Sequence, residues 1–227
     1  MDLFDVGGFL VTSVEGWSLE LVDDVDLPGW VFLPEDLSPG DREVWLSEAA
    51  NVLSDAIGNS YSEDLAVVQS DVRSMLEIGL AERAGSGSYL MYQVWPLLAP
   101  ATVLCHVNVV ASEDLPDWNS LDGVVHSADA RYIGPGLQFS TRREIDGPEG
   151  TVELNSVHLA YDGGDVALLL TLEESLAPLV SRALVGFTLL KDALQLRKGD
   201  GTLFASAAPA GLVADEQWPT EDVRGVS

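Results

Sequence analysis

The chain has 227 residues, 47% of them hydrophobic, and its 37 acidic residues against 11 basic ones give a formal net charge of -26. A chain of this length can bury a hydrophobic core without disulfides or a structural metal, and its composition excludes global disorder. The acid surplus disfavours nucleic acid and anionic membranes as partners, because phosphates attract proteins through Lys and Arg.

Short β-prone runs predict β structure within residues 6–33, at 9–11, 17–21 and 30–33. Two helices follow this region. The first begins at Pro39, which suits a first helical position, and apolar residues recur at helical spacing until Gly58. The second begins after Ser62 and runs to the break at 85–87. We expect the two helices to form an antiparallel pair that covers a sheet.

After the second helix the apolar residues recur with a period of two, which predicts strands at 89–95 and 102–110. In the second strand, Cys105 shares one face with three valines, and His106 lies on the other face with Asn108. Both faces are largely apolar, as in a central strand that is covered on two sides.

A short helix is predicted within residues 120–127. The clearest antiparallel unit follows, with strands at 137–142, 152–161 and 166–172. The alternation slips by one residue near Asn155 and Ser156, which predicts a β-bulge. Two glycines between two aspartates at 162–165 predict the turn that joins the last two strands.

A final helix is predicted from a Ser175 cap to residue 190, weakened slightly by Gly186. From residue 205 onward the residues are first mostly small and then acidic. We therefore predict one α+β domain over residues 1–204, a largely antiparallel sheet covered by helices on both faces, and a flexible acidic tail over residues 205–227.

Asp24, Asp26 and Glu35 have the spacing of the first, third and twelfth ligands of an EF-hand loop, which makes them candidate calcium ligands. Pro28 occupies the fifth position, where a side-chain oxygen is needed. The preceding segment, 17–21, alternates like a strand instead of forming the entering helix. An acidic surface turn is therefore favoured, and we predict no metal site and no cofactor.

The three histidines, His106, His126 and His158, are too far apart in sequence to form a local metal-binding pair. Folding could bring His106 and His158 together if their strands were neighbours, and Cys105 beside His158 would then resemble a nucleophilic site. Adjacent residues of a strand point to opposite faces, however. A buried structural cysteine and partly exposed strand histidines are therefore favoured.

Serine hydrolase, zinc protease, P-loop and dinucleotide motifs do not occur in the sequence. The connector at 85–88 lacks the Lys and the following helix that phosphate binding needs. The one cluster of basic residues consists of Arg131, Arg142 and Arg143. These arginines could bind a carboxylate or a phosphate, but the simpler interpretation is that they offset the charge of neighbouring acids such as Glu144 and Asp146. We predict no catalytic residue.

The order of elements over residues 101–197 resembles the C-terminal half of Mog1/PsbP-like α/β sandwiches, and it is similar in particular to uncharacterised actinobacterial proteins. The segments concerned are 133–137, 152–161, 166–172 and 176–194. The resemblance implies an antiparallel sheet with helices on both faces, in a family whose better-known members act mainly through protein contacts. It carries no signature residue, and the helices at 39–84 depart from the compact family core.

The acid surplus and the absence of a polar catalytic cluster predict a non-catalytic cytoplasmic interaction or accessory protein whose partner has a basic surface. High salt, or a generally acidic proteome, would explain the same surface. The alternative is a small-molecule-binding protein or hydrolase with a site assembled only in the folded chain, which predicts a deep polar pocket. The cytoplasmic location is expected from the acidic N-terminus, the single cysteine and the absence of a membrane-length apolar run.

Overall fold

The computed structural model describes residues 16–22, 25–58, 65–96, 101–115, 125–147 and 150–208. The α-helices in these residues are α1 (Pro39–Gly58), α2 (Leu65–Ser86) and α3 (Ala177–Ala193), and a short 3-10 helix spans Ser112–Asp114. The strands are β1 (Trp17–Leu21), β2 (Trp30–Phe32), β3 (Leu90–Val94), β4 (Val103–Ala111), β5 (Val125–Ser127), β6 (Leu137–Gly147), β7 (Gly150–Asp162), β8 (Val166–Leu176) and β9 (Leu194–Lys198). The fold is α+β with a mostly antiparallel sheet, as the sequence predicts.

Seven of the described strands form one antiparallel sheet in the order β2-β3-β4-β8-β7-β6-β5, and β1 pairs with β9 in a separate two-stranded sheet. The central position of β4 and β8 follows from their sequences, which are apolar on both faces. Along β4, Cys105 and Val107 are fully buried, whereas His106 and Asn108 are only partly buried. This alternation confirms the predicted assignment of faces.

The two long helices form the antiparallel pair that the sequence predicts. Gln69, near the start of α2, donates a hydrogen bond to Asn51 in the second half of α1. Arg73, one turn later in α2, pairs instead with Glu43 near the start of α1. The hydroxyl of Ser38 accepts a backbone N–H in the first turn of α1, which fixes the start of that helix.

Most of the buried apolar side chains among the described residues fall into two clusters. The larger one joins α3 to β3, β4, β7 and β8 and includes Phe187. The smaller one joins α1 and α2 to β2 and β3 and includes Trp45. Met91 of β3 belongs to the smaller cluster, whereas its neighbour Tyr92 belongs to the larger one. Because each fully buried large side chain contributes roughly 1.5–3 kcal/mol, both clusters hold β3 firmly in place.

The hairpin of β7 and β8 matches its prediction in detail. The carboxylate of Asp162 accepts the N–H of Gly164 at 2.8 Å, and Gly164 has a φ of 90°, which glycine adopts readily. The pairing register shifts between Asn155 and Val157, which confirms the predicted bulge. A bulge of this kind lets the alternation slip by one residue while the strand stays in the sheet.

One local prediction is wrong, and another is contradicted for part of its range. Ser175 does not cap α3 but pairs with Asn155 in the sheet, and α3 begins at Ala177 without a side-chain cap. Strand pairing with the long β7 overrides the local capping preference of the serine. At the end of the predicted helix at 120–127, the last three residues instead form β5, which pairs with β6; residues 120–124 lie outside the described residues.

The predicted tail over 205–227 is described only as far as residue 208. In this part, the N–H of Ser206 donates to the carbonyl oxygen of Ile133 at 2.8 Å. Residues 209–227 lie outside the described residues, as does the β-prone run at 9–11.

Candidate functional site

Three polar side chains from distant parts of the sequence meet in one hydrogen-bonded line. Ser88 Oγ lies 2.8 Å from Nδ1 of His106, and Nε2 of His106 lies 2.7 Å from Oε1 of Glu173. An ionised carboxylate can only accept hydrogen bonds, so in the neutral imidazole the proton lies on Nε2, and Nδ1 accepts the hydroxyl proton of Ser88. We call Ser88, His106 and Glu173 the polar line.

Strand pairing and one tight turn bring the polar line together. His106 of β4 lies opposite Thr171 of β8, and Glu173 follows two residues later on the same face. Ser88 comes just before β3, after Gly87, whose φ of 62° allows the sharp exit from α2. The separations of 18 and 67 residues between the hydrogen-bonded partners leave no local motif in the sequence.

A buried arginine holds the backbone at Ser88. The Arg83 side chain is 2% exposed, and its guanidinium donates to the carbonyl oxygens of Ser88 at 2.5 Å and Tyr89 at 3.3 Å. It also donates to Glu35 Oε2 at 2.8 Å. Because these bonds join the last turn of α2 to the start of β3, Arg83 fixes the position from which the Ser88 hydroxyl reaches His106.

The polar line forms one wall of a cleft between the carboxyl end of α2 and the face of the sheet, with a volume of about 460 Å³. The lining residues are Glu82, Gly85, Ser86, Ser88, His106, Asn108, Thr171 and Glu173. We call this space the His106 cleft. Its volume lies in the range of small-ligand sites in proteins, which runs from roughly 300 to 1,000 Å³.

The His106 cleft is electronegative. Glu82 and Glu173 are the acidic residues of its lining, and that lining contains neither Lys nor Arg. The end of α2 adds to this character, because the last carbonyl groups of a helix carry the negative end of its dipole. The cleft therefore favours a ligand that carries a positive charge or donates several hydrogen bonds.

The second strand histidine lies beyond β8 and does not join the polar line. Thr171 lies between His106 and His158 in the register of the sheet, so the two rings are not direct neighbours. His158 Nε2 lies 2.7 Å from Ser156 Oγ, Nδ1 lies 3.1 Å from Thr171 Oγ1, and the ring stacks on Phe139. Burial lowers the pKa of His158, which keeps the ring neutral.

Cys105 is fully buried on the face of β4 opposite His106, which confirms the prediction of a structural cysteine. Burial raises the pKa of its thiol well above the usual value, so the reactive thiolate is disfavoured. His106 and His158 are partly buried, as predicted, and His126 is buried in β5.

The candidate calcium ligands are only partly described. Asp24 lies outside the described residues, Asp26 is exposed, and Glu35 is paired with Arg83, with which a cation would have to compete. In the described part of the chain, no group of three or more His, Cys, Asp or Glu side chains could hold a metal ion. The sequence favours an acidic surface turn at Asp24, Asp26 and Glu35, and calcium binding there stays an untested alternative.

The arginine pair of β6 is balanced by acids of β7 and β8. Arg142 lies 2.5 Å from Glu153, and Arg143 pairs with Glu174. The guanidinium of Arg131 lies over the ring of its neighbour Tyr132. Exposed ion pairs of this kind contribute roughly 0–1 kcal/mol each. Of the two acids that the sequence suggests as partners, Glu144 lies 3.7 Å from Arg142, whereas Asp146 accepts a hydrogen bond from Thr151.

Sequence reasoning missed the polar line. One available signal was the pair of polar residues, His106 and Asn108, on one face of an otherwise apolar strand. The contribution of Ser88 could not be predicted, because the connector at 85–88 lines a cleft only when β4 and β8 lie beside it.

No family model matches the chain, and no curated protein matches it. The resemblance to Mog1/PsbP-like sandwiches therefore stays a prediction. None of the helices in the described ranges is long and apolar enough to cross a membrane.

Proposed function

We propose that this protein binds a small molecule with a positively charged or donor-rich group in the His106 cleft. One observation carries this proposal: Glu82, Glu173 and the carboxyl end of α2 converge on one cleft, to whose lining the described residues contribute no Lys or Arg. The polar line supports it further, because Arg83 and the strand pairing hold its groups in place before a ligand arrives.

Isothermal calorimetry with butylguanidinium, tetramethylammonium and neutral 1-butanol tests this function. We expect heat from the two cations and none from the alcohol. Glu173→Gln should weaken cation binding about tenfold, because it removes one charge-assisted interaction of roughly 1.5 kcal/mol. Glu174→Gln is the matched control, since Glu174 is the next residue of the strand and pairs with Arg143, away from the cleft. Equal affinities for wild type and Glu173→Gln would refute the proposed site.

We also propose that helices cover both faces of the sheet, with α1 and α2 on one face and α3 on the other. The assignment of the adjacent residues Met91 and Tyr92 to different buried clusters supports this arrangement, since neighbouring residues of a strand point to opposite faces. As part of the same proposal, we suggest that the fold is related to Mog1/PsbP-like sandwiches of the uncharacterised actinobacterial type.

The second candidate function is non-catalytic interaction with a partner protein that has a basic surface, in the cytoplasm. The net charge of -26 favours it, because such a field attracts basic surfaces over long distances. Pull-down from lysate at about 0.05 M and 0.5 M salt tests it, since this range screens exposed charges strongly. We expect capture of a basic protein at low salt only, and capture that is unchanged at high salt would contradict an electrostatic interaction.

A further inference from the structure

The polar line has the arrangement of a nucleophile, a base and an orienting acid. We propose that Ser88 is the nucleophile of an esterase site, and that its substrates are small esters carrying a cationic group. This inference rests on the proposed ligand cleft and adds a reaction to it. Ser88 is only 5% exposed, and its side chain lines the His106 cleft.

The hydrogen bonds assign a role to each member of the polar line. His106 Nδ1, 2.8 Å from Ser88 Oγ, presents the lone pair that a general base needs. Glu173, 2.7 Å from Nε2, holds the tautomer and balances the positive charge that develops on the ring. His106 presents Nδ1 to the serine and Nε2 to the carboxylate, which is the reverse of the arrangement in the serine proteases. The chemistry is preserved, because it requires only a lone pair toward the hydroxyl and a carboxylate at the other nitrogen.

The negative charge that develops on an ester oxygen needs a hydrogen-bond donor. The backbone N–H of Ser88 is engaged by Ser86 Oγ, and that of Tyr89 by the carbonyl oxygen of Val107, so neither is available. The side chain of Asn108 lines the cleft and has no hydrogen-bond partner among the described residues. An asparagine amide serves as an oxyanion donor in subtilisin, and we assign this role to Asn108.

The reaction is a hydrolysis in two steps. Ser88 Oγ attacks the ester carbonyl carbon while its proton passes to His106 Nδ1. The bond from that carbon to the alcohol oxygen then breaks, and the alcohol leaves with the proton from His106. Water next attacks the acyl carbon, gives one proton to His106, and releases the carboxylic acid as that proton returns to Ser88 Oγ.

The protein contains its own control for this chemistry. Ser156 Oγ lies 2.7 Å from His158 Nε2, a serine–histidine pair as close as that of Ser88. The other nitrogen of His158 faces the Thr171 hydroxyl, so this pair has no carboxylate to balance an imidazolium. We expect Ser88 to react and Ser156 not to react, because Ser156 lacks such a carboxylate among the described residues, does not line the His106 cleft and also lies 2.6 Å from Thr141 Oγ1.

Labelling with an alkyl fluorophosphonate, followed by peptide mass spectrometry of the folded full chain, tests the assignment. We expect the label on Ser88 and not on Ser156, and a labelling rate lower by a factor of about 100 or more in His106→Gln, because a general base contributes roughly 10²–10⁴. Labelling of both serines at one rate, or of neither in wild type, would overturn it. Circular dichroism of Ser88→Ala and His106→Gln separates these results from unfolding, since both variants should melt as wild type does.

Glu173 is a positioning residue in this proposal, and its test must separate that role from a structural one. We expect Glu173→Gln to slow labelling of Ser88 about tenfold and Glu173→Asp to recover part of that rate, with melting temperatures unchanged in both. Cation binding without labelling of Ser88 would leave the ligand cleft standing and overturn the esterase. Labelling of Ser88 without cation binding would support the nucleophile and overturn the cationic substrate class.

Discussion

Replacing Arg83 by methionine is expected to lower the free energy of unfolding by about 3 kcal/mol, because a buried polar group left without its partner costs roughly 1–3 kcal/mol and Arg83 donates to two buried carbonyl groups. Loss of the ion pair itself adds little, because its partner Glu35 is 53% exposed and is not left as a buried charge. The carbonyl oxygens of Ser88 and Tyr89 lose their donors. Burial lowers the pKa of Arg83, an effect that Glu35 opposes.

Urea denaturation followed by tryptophan fluorescence measures this change. The slope of the free energy of unfolding against urea concentration should stay unchanged, as expected when unfolding remains two-state. Glu35→Gln is the control: it keeps the arginine and its bonds to the backbone, so we expect a loss of at most about 1 kcal/mol. A loss below about 1 kcal/mol for Arg83→Met would show that α2 and β3 are held together without the guanidinium.

Gly186→Ala is expected to destabilise the protein by about 2 kcal/mol, although alanine is favoured over glycine in a helix by about 1 kcal/mol. A Cβ atom at Gly186 would lie 2.4 Å from Nε1 of Trp30, well inside contact distance. Trp30 is buried and packs edge-on against Tyr92, so its ring cannot move aside freely. Overpacking of this kind costs roughly 1–3 kcal/mol or more, which outweighs the helix preference.

Gly40→Ala in the first turn of α1 is the matched control, because a Cβ there has no atom within 4 Å apart from its chain neighbours and the backbone of its own helix. The control is expected to keep or slightly raise the melting temperature, whereas Gly186→Ala should lower it by several degrees, as about 2 kcal/mol does for a domain of this size. A higher melting temperature for Gly186→Ala would mean that α3 can shift away from Trp30.

The features that the sequence predicts correctly are those with a local cause. α1 is recognisable from Pro39 and the helical spacing that follows, and β4 from alternation around Cys105. The hairpin at Asp162 and the bulge near Asn155 are visible because each leaves a mark within a few residues. In each case neighbouring residues contain the whole physical reason for the structure.

The features that escape prediction depend on partners that are distant in sequence. Ser175 has the local character of a helix cap, but pairing with β7 keeps it in a strand. The sequence alone predicts only that Gly186 weakens α3, whereas the structure shows Trp30 packed against this glycine. Ser88 and Glu173 acquire chemical meaning only when the sheet brings both to His106. Such contacts cannot be derived from composition or periodicity.

The pairing of β1 with β9 sets an order of events during folding. Trp17 lies opposite Lys198 in this small sheet, and Val22 donates to the carbonyl oxygen of Ala193. A nascent chain therefore holds β1 without its partner until residue 198 has left the ribosome. Loop closure over so long a separation is entropically costly, so β1 should dock late, after the local hairpins have formed. Of the described strands, β1 is then among the last to reach its native place.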